Sequence, residues 1–303
     1  MNDLLTSEDH GQAAGLQFFA REVVEGFCSG LHRSPHKGVS VEFKQHRQYV
    51  AGDEIRHLDW RVFGKTDRFY IREYEEETNL RCTLLLDCSG SMGYEGSGFT
   101  SRQTPTKLDY ARRLAACFAY LMLAQQDSVA IATFDDQVRE VIPNRSTAGH
   151  LQALIEVMLR RDAGGDGELG DVLGTLAPKL GRRGLVVILS DCFGDTERLR
   201  RGLAHLRHGR NEVLLFQIWD RDELEFPFQQ WTQFESLEID GVRQKVDPAH
   251  LRSAYLENLE RFRSELQEVC NRNRVELVSM VTDQPYAAAL SRYLASRQRK
   301  QRR

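Results

Sequence analysis

Short apolar runs alternate with amphipathic stretches along most of the chain. An apolar run such as 84–86 is typical of a strand buried on both faces of a parallel sheet. Apolar residues three and four positions apart, as in 107–125, indicate helices. The further predicted strands are 128–134, 138–142 at an antiparallel edge, 185–191, 212–218 and 274–281, and the further predicted helices are 146–160, 169–180, 199–206, 248–271 and 285–295. This alternation predicts an α/β fold with a doubly wound, mostly parallel sheet of the Rossmann type.

Two regions depart from this alternation. Residues 234–239 and 242–246 flank the pair Asp240 and Gly241, which favours a hairpin turn between two strands. Near the start of the chain, residues 16–27 have helical spacing, and short alternating strands are predicted at 39–43 and 69–74. We therefore predict an N-terminal extension, residues 1–78, followed by a main domain, residues 79–303.

The extension contains a dense mixture of charged and aromatic residues. Its members are Arg47, Tyr49, Asp53, Arg56, Asp59 and Trp60. Paired charges around aromatic rings are common structural devices and need not be catalytic. We therefore interpret this group as a clamp that joins the extension to the main domain.

Oxygen-bearing side chains follow the apolar run at 84–86. Asp87, Ser89 and Ser91 stand at alternate positions, and Gly90 and Gly93 allow a tight turn between them. Open α/β sheets place their sites at the carboxyl ends of strands. One carboxylate and two hydroxyls suit Mg²⁺, Mn²⁺ or Ca²⁺ better than zinc. The simpler alternative is that Asp87 and Ser89 only cap the following helix.

The spacing of Asp87, Ser89 and Ser91 resembles the metal-ion-dependent adhesion site of von Willebrand factor A-type domains. A second apolar run, 185–190, ends at Asp191, which we expect beside the first site. The resemblance implies that Ser89 and Ser91 bind the metal directly. Asp87 and Asp191 would hold the metal through water or hydrogen-bond the serines. An open coordination position would accept a carboxylate from a protein partner.

A longer series of motifs resembles a bacterial family of unknown function. The motifs are Arg47-x-Tyr49, Gly52-Asp53, Arg56, Asp59-Trp60, Leu84-Leu-Leu-Asp-x-Ser-x-Ser-Met92, Lys107-Leu-Asp-Tyr-Ala-Arg-Arg113, Asp127-Ser-Val-Ala-Ile131, Ser190-Asp191 and Val246-Asp-Pro248. Members of that family carry a von Willebrand factor A-type fold and are typically encoded beside MoxR-type AAA+ ATPases. The resemblance implies a metal-binding adaptor, with such an ATPase as its partner, rather than an enzyme.

One ligand of the resembled site is missing. Von Willebrand factor A-type sites usually add a threonine from a loop between the first and last motif strands, where relatives read Gly-Gly-Thr-Asp-Leu. Here residues 165–169 read Gly-Asp-Gly-Glu-Leu, so Gly167 stands at the threonine position. Asp166 or Glu168 are candidate replacements as metal ligands, and the alternative is a site that is only weakly occupied.

Composition and charge narrow the partners and the compartment. The 41 Lys and Arg residues nearly balance 44 Asp and Glu residues, which argues against nucleic acid as the partner. The longest apolar run, 114–124, is too short to span a bilayer, and the first residues do not resemble a signal peptide. Six scattered cysteines without a Cys-x-x-Cys pair are typical of reduced thiols. We therefore expect a cytoplasmic protein with no membrane partner.

Two other functions stay open at the level of sequence. A phosphatase-like, metal-dependent hydrolase would use the same carboxylates, although an aspartyl-nucleophile phosphatase would normally have a second Asp at position 89. A metal-free scaffold would follow if the missing threonine abolishes metal binding. For the favoured adaptor, we expect the Gly- and Ser-rich segment 93–105 to form a loop on the rim of the site.

Overall fold

A six-stranded sheet with helices on both faces forms the main body of the protein. The computed structural model describes residues 7–31, 43–49, 60–66, 68–74, 80–96, 105–147, 149–239 and 241–301. The strands are β1 Phe43–Gln48, β2 Tyr70–Tyr74, β3 Arg81–Asp87, β4 Ser128–Phe134, β5 Val138–Arg145, β6 Leu185–Ser190, β7 Glu212–Trp219, β8 Thr232–Glu235, β9 Arg243–Val246 and β10 Glu276–Val281. The helices are α1 Ser7–Leu31, α2 Trp60–Thr66, α3 Lys107–Ala124, α4 His150–Leu159, α5 Leu169–Leu176, α6 Thr196–His208, α7 Arg221–Glu225, α8 Pro248–Arg272 and α9 Ala287–Gln301.

The chain divides into two compact units. The larger unit combines Met1–Gly30 with Leu80–Arg303, and the smaller unit is Leu31–Asn79. The sequence pattern predicts the first helix as part of the N-terminal extension, residues 1–78. In the structure, Ala20 and Val24 of α1 belong to the hydrophobic core of the larger unit.

The strand order of the main sheet is β10-β7-β6-β3-β4-β5. Only β5 runs antiparallel to its neighbour, β4, and the other pairings are parallel. The predicted α/β class with a mostly parallel sheet is therefore confirmed, including the antiparallel edge.

Strand β3 shows why helices cover both faces of this sheet. Every residue of β3 after Arg81 is buried. Leu84 and Leu86 pack into a core cluster with α1, α3, α4 and α9, whereas Leu85 packs into a second cluster with α5, α6 and α8. Successive side chains of a strand point to opposite faces, so a strand that is apolar throughout requires cover on both.

The predicted helices are present with shifted ends, and two short helices were missed. Helix α5 ends at Leu176, four residues before the predicted end at 180. The missed helices α2 and α7 contain seven and five residues. Apolar periodicity cannot detect a helix of fewer than about two turns, because the pattern does not repeat.

The predicted hairpin is present, but its turn is longer than the sequence indicated. Strands β8 and β9 pair antiparallel, and their last partners are Glu235 and Arg243. The expected strand up to residue 239 is therefore wrong. Instead, the Ser236 hydroxyl accepts hydrogen bonds from the backbone N–H groups of Glu238 at 3.3 Å and Ile239 at 3.0 Å, which turns the segment back. Gly241 has a φ of +77°, and its predicted turn partner Asp240 lies outside the described residues.

The smaller unit contains an antiparallel pair, β1 and β2, together with α2. The Phe63 ring stacks on the Phe69 ring with centroids 4.4 Å apart, whereas Trp60 is 60% exposed. The charged residues Asp53, Arg56 and Asp59 of the predicted clamp lie outside the described residues, as does most of the predicted rim loop, 97–104. The clamp and the rim loop therefore stay predictions.

All six cysteines are free thiols, and only Cys28 is not fully buried. Burial raises the pKa of Cys88, Cys117 and Cys270 to about 12, which keeps these thiols protonated at neutral pH. Over the described ranges, no helix combines the length and the apolar character needed to cross a membrane.

Candidate metal centre

The carboxyl end of β3 lies where the chain reverses its direction across the sheet. The chain passes from β3 to β4 on one side and later returns to β6 on the other side of β3. In open α/β sheets, such a switch point leaves a crevice beyond the strand ends. Asp87 ends β3 and Asp191 directly follows β6, so the two predicted carboxylates flank this crevice.

Ser89 and Ser91 lie on a tight turn that follows β3. Residues Gly90–Gly93 form a single turn of 3-10 helix. The hydroxyl oxygens of Ser89 and Ser91 are 3.3 Å apart. Adjacent ligands of an octahedral magnesium ion lie about 3 Å from each other. The two hydroxyls therefore have nearly the spacing of neighbouring ligands on one cation.

Asp87 links the two sides of the crevice. Its Oδ1 accepts a hydrogen bond from the Ser89 backbone N–H at 2.9 Å, and its Oδ2 accepts one from the Ser190 hydroxyl at 2.6 Å. Burial and the neighbouring charge of Asp191 raise the pKa of Asp87 to about 7. The sequence pattern indicates no separate role for Ser190, whereas the structure makes it a direct partner of Asp87.

A buried ion-pair cluster, formed by Lys107, Asp191 and Glu223, lies in the same crevice. The Lys107 Nζ donates to Asp191 Oδ2 at 2.8 Å and to Glu223 Oε1 at 2.6 Å, and the Lys107 side chain is fully buried. Burial alone would lower the pKa of Lys107, but the two carboxylates outweigh it and raise that pKa. The other oxygen of Asp191 accepts the Phe193 backbone N–H at 3.2 Å. Both oxygens of Asp191 are thus engaged within the protein.

The first turn of α7 positions Glu223. Asp220 accepts a hydrogen bond from the Asp222 N–H at 2.9 Å, and Glu223 Oε2 accepts one from the Asp220 N–H at 2.8 Å. This reciprocal pair is a capping box, whose sequence signature is an acidic residue followed three positions later by Glu. The cap was therefore visible in the sequence. The pairing of Glu223 with Lys107, 116 positions away, was not.

The loop 163–168 packs directly against residues 89–93, the turn that carries Ser89 and Ser91 and that we call the serine turn. The Gly90 N–H donates to the Gly165 carbonyl at 2.9 Å. A β-carbon added at Gly167 would lie 2.6 Å from the β-carbon of Ser89. Since real side chains do not approach so closely, a threonine at 167 requires Ser89 to move. Glycine at this position is therefore part of how Ser89 is packed.

The two candidate replacements for the missing threonine lie in different surroundings. The Glu168 carboxylate accepts the Asp195 backbone N–H at 3.3 Å, beside the start of α6. Asp166 is exposed, and its charge helps to raise the pKa of Glu238 after the larger effect of burial. The charge of Asp166 therefore acts on Glu238, whereas the described hydrogen bond of the Glu168 carboxylate is to the start of α6.

The loop 236–242 between β8 and β9, which we call the hairpin loop, crosses the serine turn. The Leu237 carbonyl oxygen lies 1.9 Å from the position that a β-carbon on Gly90 would take. The Cα of the next residue, Glu238, lies 3.1 Å from the same position, which places Glu238 beside the turn that carries Ser89 and Ser91. The sequence pattern does not indicate that this hairpin belongs to the site, because strand and turn patterns do not show which surface a loop contacts.

The family model described as "Protein of unknown function DUF58" matches residues 45–265, which is most of the chain. The chain belongs to the DUF58 family. The DUF58 protein is also 26% identical over 290 residues to "Uncharacterized protein Rv1480" of Mycobacterium tuberculosis (strain H37Rv). That match covers 94% of this chain and 88% of the mycobacterial protein. The relative "Uncharacterized protein Mb1516" of Mycobacterium bovis matches with the same identity and coverage.

Several solved structures are partly similar to the DUF58 protein. An aerotolerance-related membrane protein from Bacteroides fragilis has a TM-score of 0.47 and 15% identity, covering 69% of this chain and 94% of that one. The conserved hypothetical protein BatB from Bacteroides thetaiotaomicron has a TM-score of 0.43 and 11% identity, covering 72% and 98%. The SpRpn10 VWA domain has a TM-score of 0.40 and 13% identity, covering 71% and 95%.

The donor set in the crevice of the DUF58 protein fits a hard divalent cation on one side only. Within the described part of the chain, no three His, Cys, Asp or Glu side chains form a metal-binding group. A cation here therefore depends on the hydroxyls of Ser89 and Ser91 together with the buried charge of Asp87. On the opposite side, the ammonium group of Lys107 already pairs with Asp191.

Proposed function

We propose that the DUF58 protein is a protein-interaction module that binds its partner at the β3–β6 crevice in a divalent-metal-dependent manner. The observation that carries this proposal is the 3.3 Å separation of the Ser89 and Ser91 hydroxyls beside buried Asp87. Hydroxyl and carboxylate oxygens favour Mg²⁺, Mn²⁺ or Ca²⁺. When bound, the cation supplies positive charge that attracts a carboxylate of the partner.

The residues of the crevice divide this task. Ser89 and Ser91 would hold the cation, while Asp87 fixes the serine turn through the Ser89 N–H and contributes negative charge. Asp191 forms an ion pair with Lys107, and the positive charge of Lys107 would weaken the attraction between Asp191 and the cation. Asp166 adds exposed negative charge at the edge, and Glu168 is engaged with the start of α6.

The metal-binding part of the proposal predicts a measurable stabilisation. We expect Mg²⁺ or Mn²⁺ to raise the Tm, because a ligand that binds only the folded state adds about 2.7 kcal/mol at a hundred times its Kd. Ser89→Ala and Ser91→Ala each remove one oxygen ligand and should weaken the affinity by about tenfold or more. Isothermal titration calorimetry and thermal unfolding measure both effects.

Ser291→Ala is the matched control for the two serine variants. Ser291 is exposed on α9, and its hydroxyl bonds only to the Ala287 carbonyl of its own helix. We expect this variant to bind the metal as tightly as the natural protein does. Absence of heat and of any Tm shift in the natural protein would contradict the metal-dependent proposal.

A metal-free scaffold is the second candidate, and the ion-pair cluster favours it. Lys107 neutralises part of the negative charge in the crevice without an external cation. A scaffold would bind its partner equally well in the presence of a chelator. Partner binding in EDTA therefore separates the two candidates.

We further propose a MoxR-type AAA+ ATPase as the partner, in the cytoplasm, on the basis of the family resemblance. A carboxylate on the ATPase would complete the coordination of the cation. We expect purified ATPase to be retained by the immobilised DUF58 protein in Mg²⁺ and to be released by EDTA. Ser89→Ala should reduce retention and Ser291→Ala should not. Equal retention with and without EDTA would show that no metal bridges the two proteins.

A further inference from the structure

The hairpin loop reverses the usual placement of polar and apolar side chains. Leu237 and Ile239 are 47% and 59% exposed, whereas Glu238 between them is half-buried and faces the serine turn. Placing a carboxylate inward costs free energy unless the group is paired, and exposing two apolar side chains forgoes their burial. This arrangement is therefore a poor choice for stability alone, and it indicates a function for Glu238.

The backbone holds Glu238 in this position. The Ser236 hydroxyl accepts the N–H groups of Glu238 and Ile239, and the Ser236 N–H donates to the Val242 carbonyl at 2.9 Å. On the serine turn, Gly90 has no side chain, so the backbone of the hairpin loop can contact the backbone at Gly90. The backbone of the loop is thus held at Ser236 and contacts the serine turn at Leu237 and Glu238.

The negative charge of Glu238 is only partly balanced by positive charge nearby. Burial raises the pKa of Glu238, and so do the charges of Asp166 and Asp191, whereas the nearby Ser91 hydroxyl and the charge of Lys107 lower it. The crevice therefore holds one described ammonium group, that of Lys107, and five carboxylates, which belong to Asp87, Asp166, Asp191, Glu223 and Glu238. Such a surplus of negative charge is what a divalent cation neutralises.

We propose that Glu238 is an internal carboxylate ligand of the candidate metal centre and occupies the coordination position that a partner's carboxylate takes during binding. This inference rests on the proposed metal-dependent function and adds a step to it. The partner must displace the hairpin loop, so the free protein holds its own site closed. The proposal is carried by the close approach of the Leu237 carbonyl oxygen and the Glu238 Cα to Gly90, which lies between the two serines.

The test uses Mn²⁺ as the probe and counts the water molecules bound to it. Glu238→Gln keeps the size of the side chain but removes its charge. We expect the Mn²⁺ Kd to rise by about tenfold or more, since ligand charge sets the affinity of such sites. We also expect the water-proton relaxivity of bound Mn²⁺ to increase, because a water molecule replaces the carboxylate. Glu235→Gln, in the same hairpin but paired with Arg243, should leave both values unchanged.

Gly90→Ala tests the coordination position proposed for Glu238 without replacing any oxygen-bearing side chain. Its β-carbon would lie 1.9 Å from the Leu237 carbonyl oxygen, so the loop must move away. Residue 90 lies in a 3-10 turn, whose backbone alanine adopts without strain. We expect the relaxivity of bound Mn²⁺ to rise as it does in Glu238→Gln.

The outcomes separate this inference from the proposed function. If the natural protein binds Mn²⁺ and Ser89→Ala weakens that binding, the result supports the proposed metal site. Natural affinity and relaxivity in both Glu238→Gln and Gly90→Ala would then overturn the internal-ligand inference alone. If the natural protein binds no Mn²⁺, both proposals fail together.

Discussion

We expect Lys107→Met to lower the free energy of unfolding by about 3–5 kcal/mol, because it leaves two buried carboxylates without their cation. Asp191 and Glu223 both contact the Lys107 ammonium at less than 3 Å, and neither can move to solvent without disrupting β6 or α7. Urea denaturation in the presence of EDTA measures this loss, because the chelator prevents a metal ion from replacing the lost charge.

Two companion variants show that the effect comes from the buried charges. Lys179→Met removes an exposed lysine and should change the stability by no more than about 0.5 kcal/mol. Adding Glu223→Gln to Lys107→Met removes one of the unpaired carboxylates, so part of the lost stability should return. A loss below about 1 kcal/mol for Lys107→Met would show that the ion-pair cluster is solvated in solution.

The second large effect is expected where α5 meets α6. A β-carbon on Gly170 would lie 2.3 Å from the backbone carbonyl carbon of Arg198 and 2.5 Å from the Leu199 nitrogen. The two helices must therefore separate to accept Gly170→Ala. We expect this variant to lower the free energy of unfolding by about 1–3 kcal/mol, as overpacked cores do.

The same helix supplies the control for this variant. Gly174 lies one turn further along α5, and an added β-carbon there meets nothing within 4 Å. Gly174→Ala should leave the stability unchanged or raise it by up to about 1 kcal/mol, because alanine favours the helix. Thermal unfolding of the pair tests the contact, and equal Tm values for the two variants would contradict it.

The sheet was predictable because its signal is local. Four apolar runs matched the strands β3, β4, β6 and β7, which are buried almost throughout, and β4 was predicted with its observed ends, Ser128–Phe134. Strands buried on both faces have no polar positions to confuse their pattern with that of a surface element. Because sites of open α/β sheets lie at the carboxyl ends of strands, the sequence also predicts that Asp87 and Asp191 flank one crevice.

The remainder of the site was not predictable, since its contacts join distant parts of the chain. Lys107 is the first residue of α3, and nothing in the sequence pattern indicates that it pairs with Asp191 and Glu223, which are distant along the chain. Glu238 lies in a turn of unexpected length, where local patterns give no docking position. The effect of Gly167 is also tertiary, because only its contact with Ser89 explains why a threonine does not fit.

The hairpin that carries Glu238 is anchored at its base and exposed at its end. The Phe234 ring of β8 stacks on Phe226 with centroids 6.0 Å apart, while Leu237 and Ile239 face solvent. Local opening costs only the free energy of the contacts that it breaks. Opening of the hairpin loop would therefore break its contact with the serine turn while the six-stranded sheet stays folded. On the proposed mechanism, a partner that covers Leu237 and Ile239 would gain apolar burial, which would offset the free energy of moving Glu238 away from Ser91.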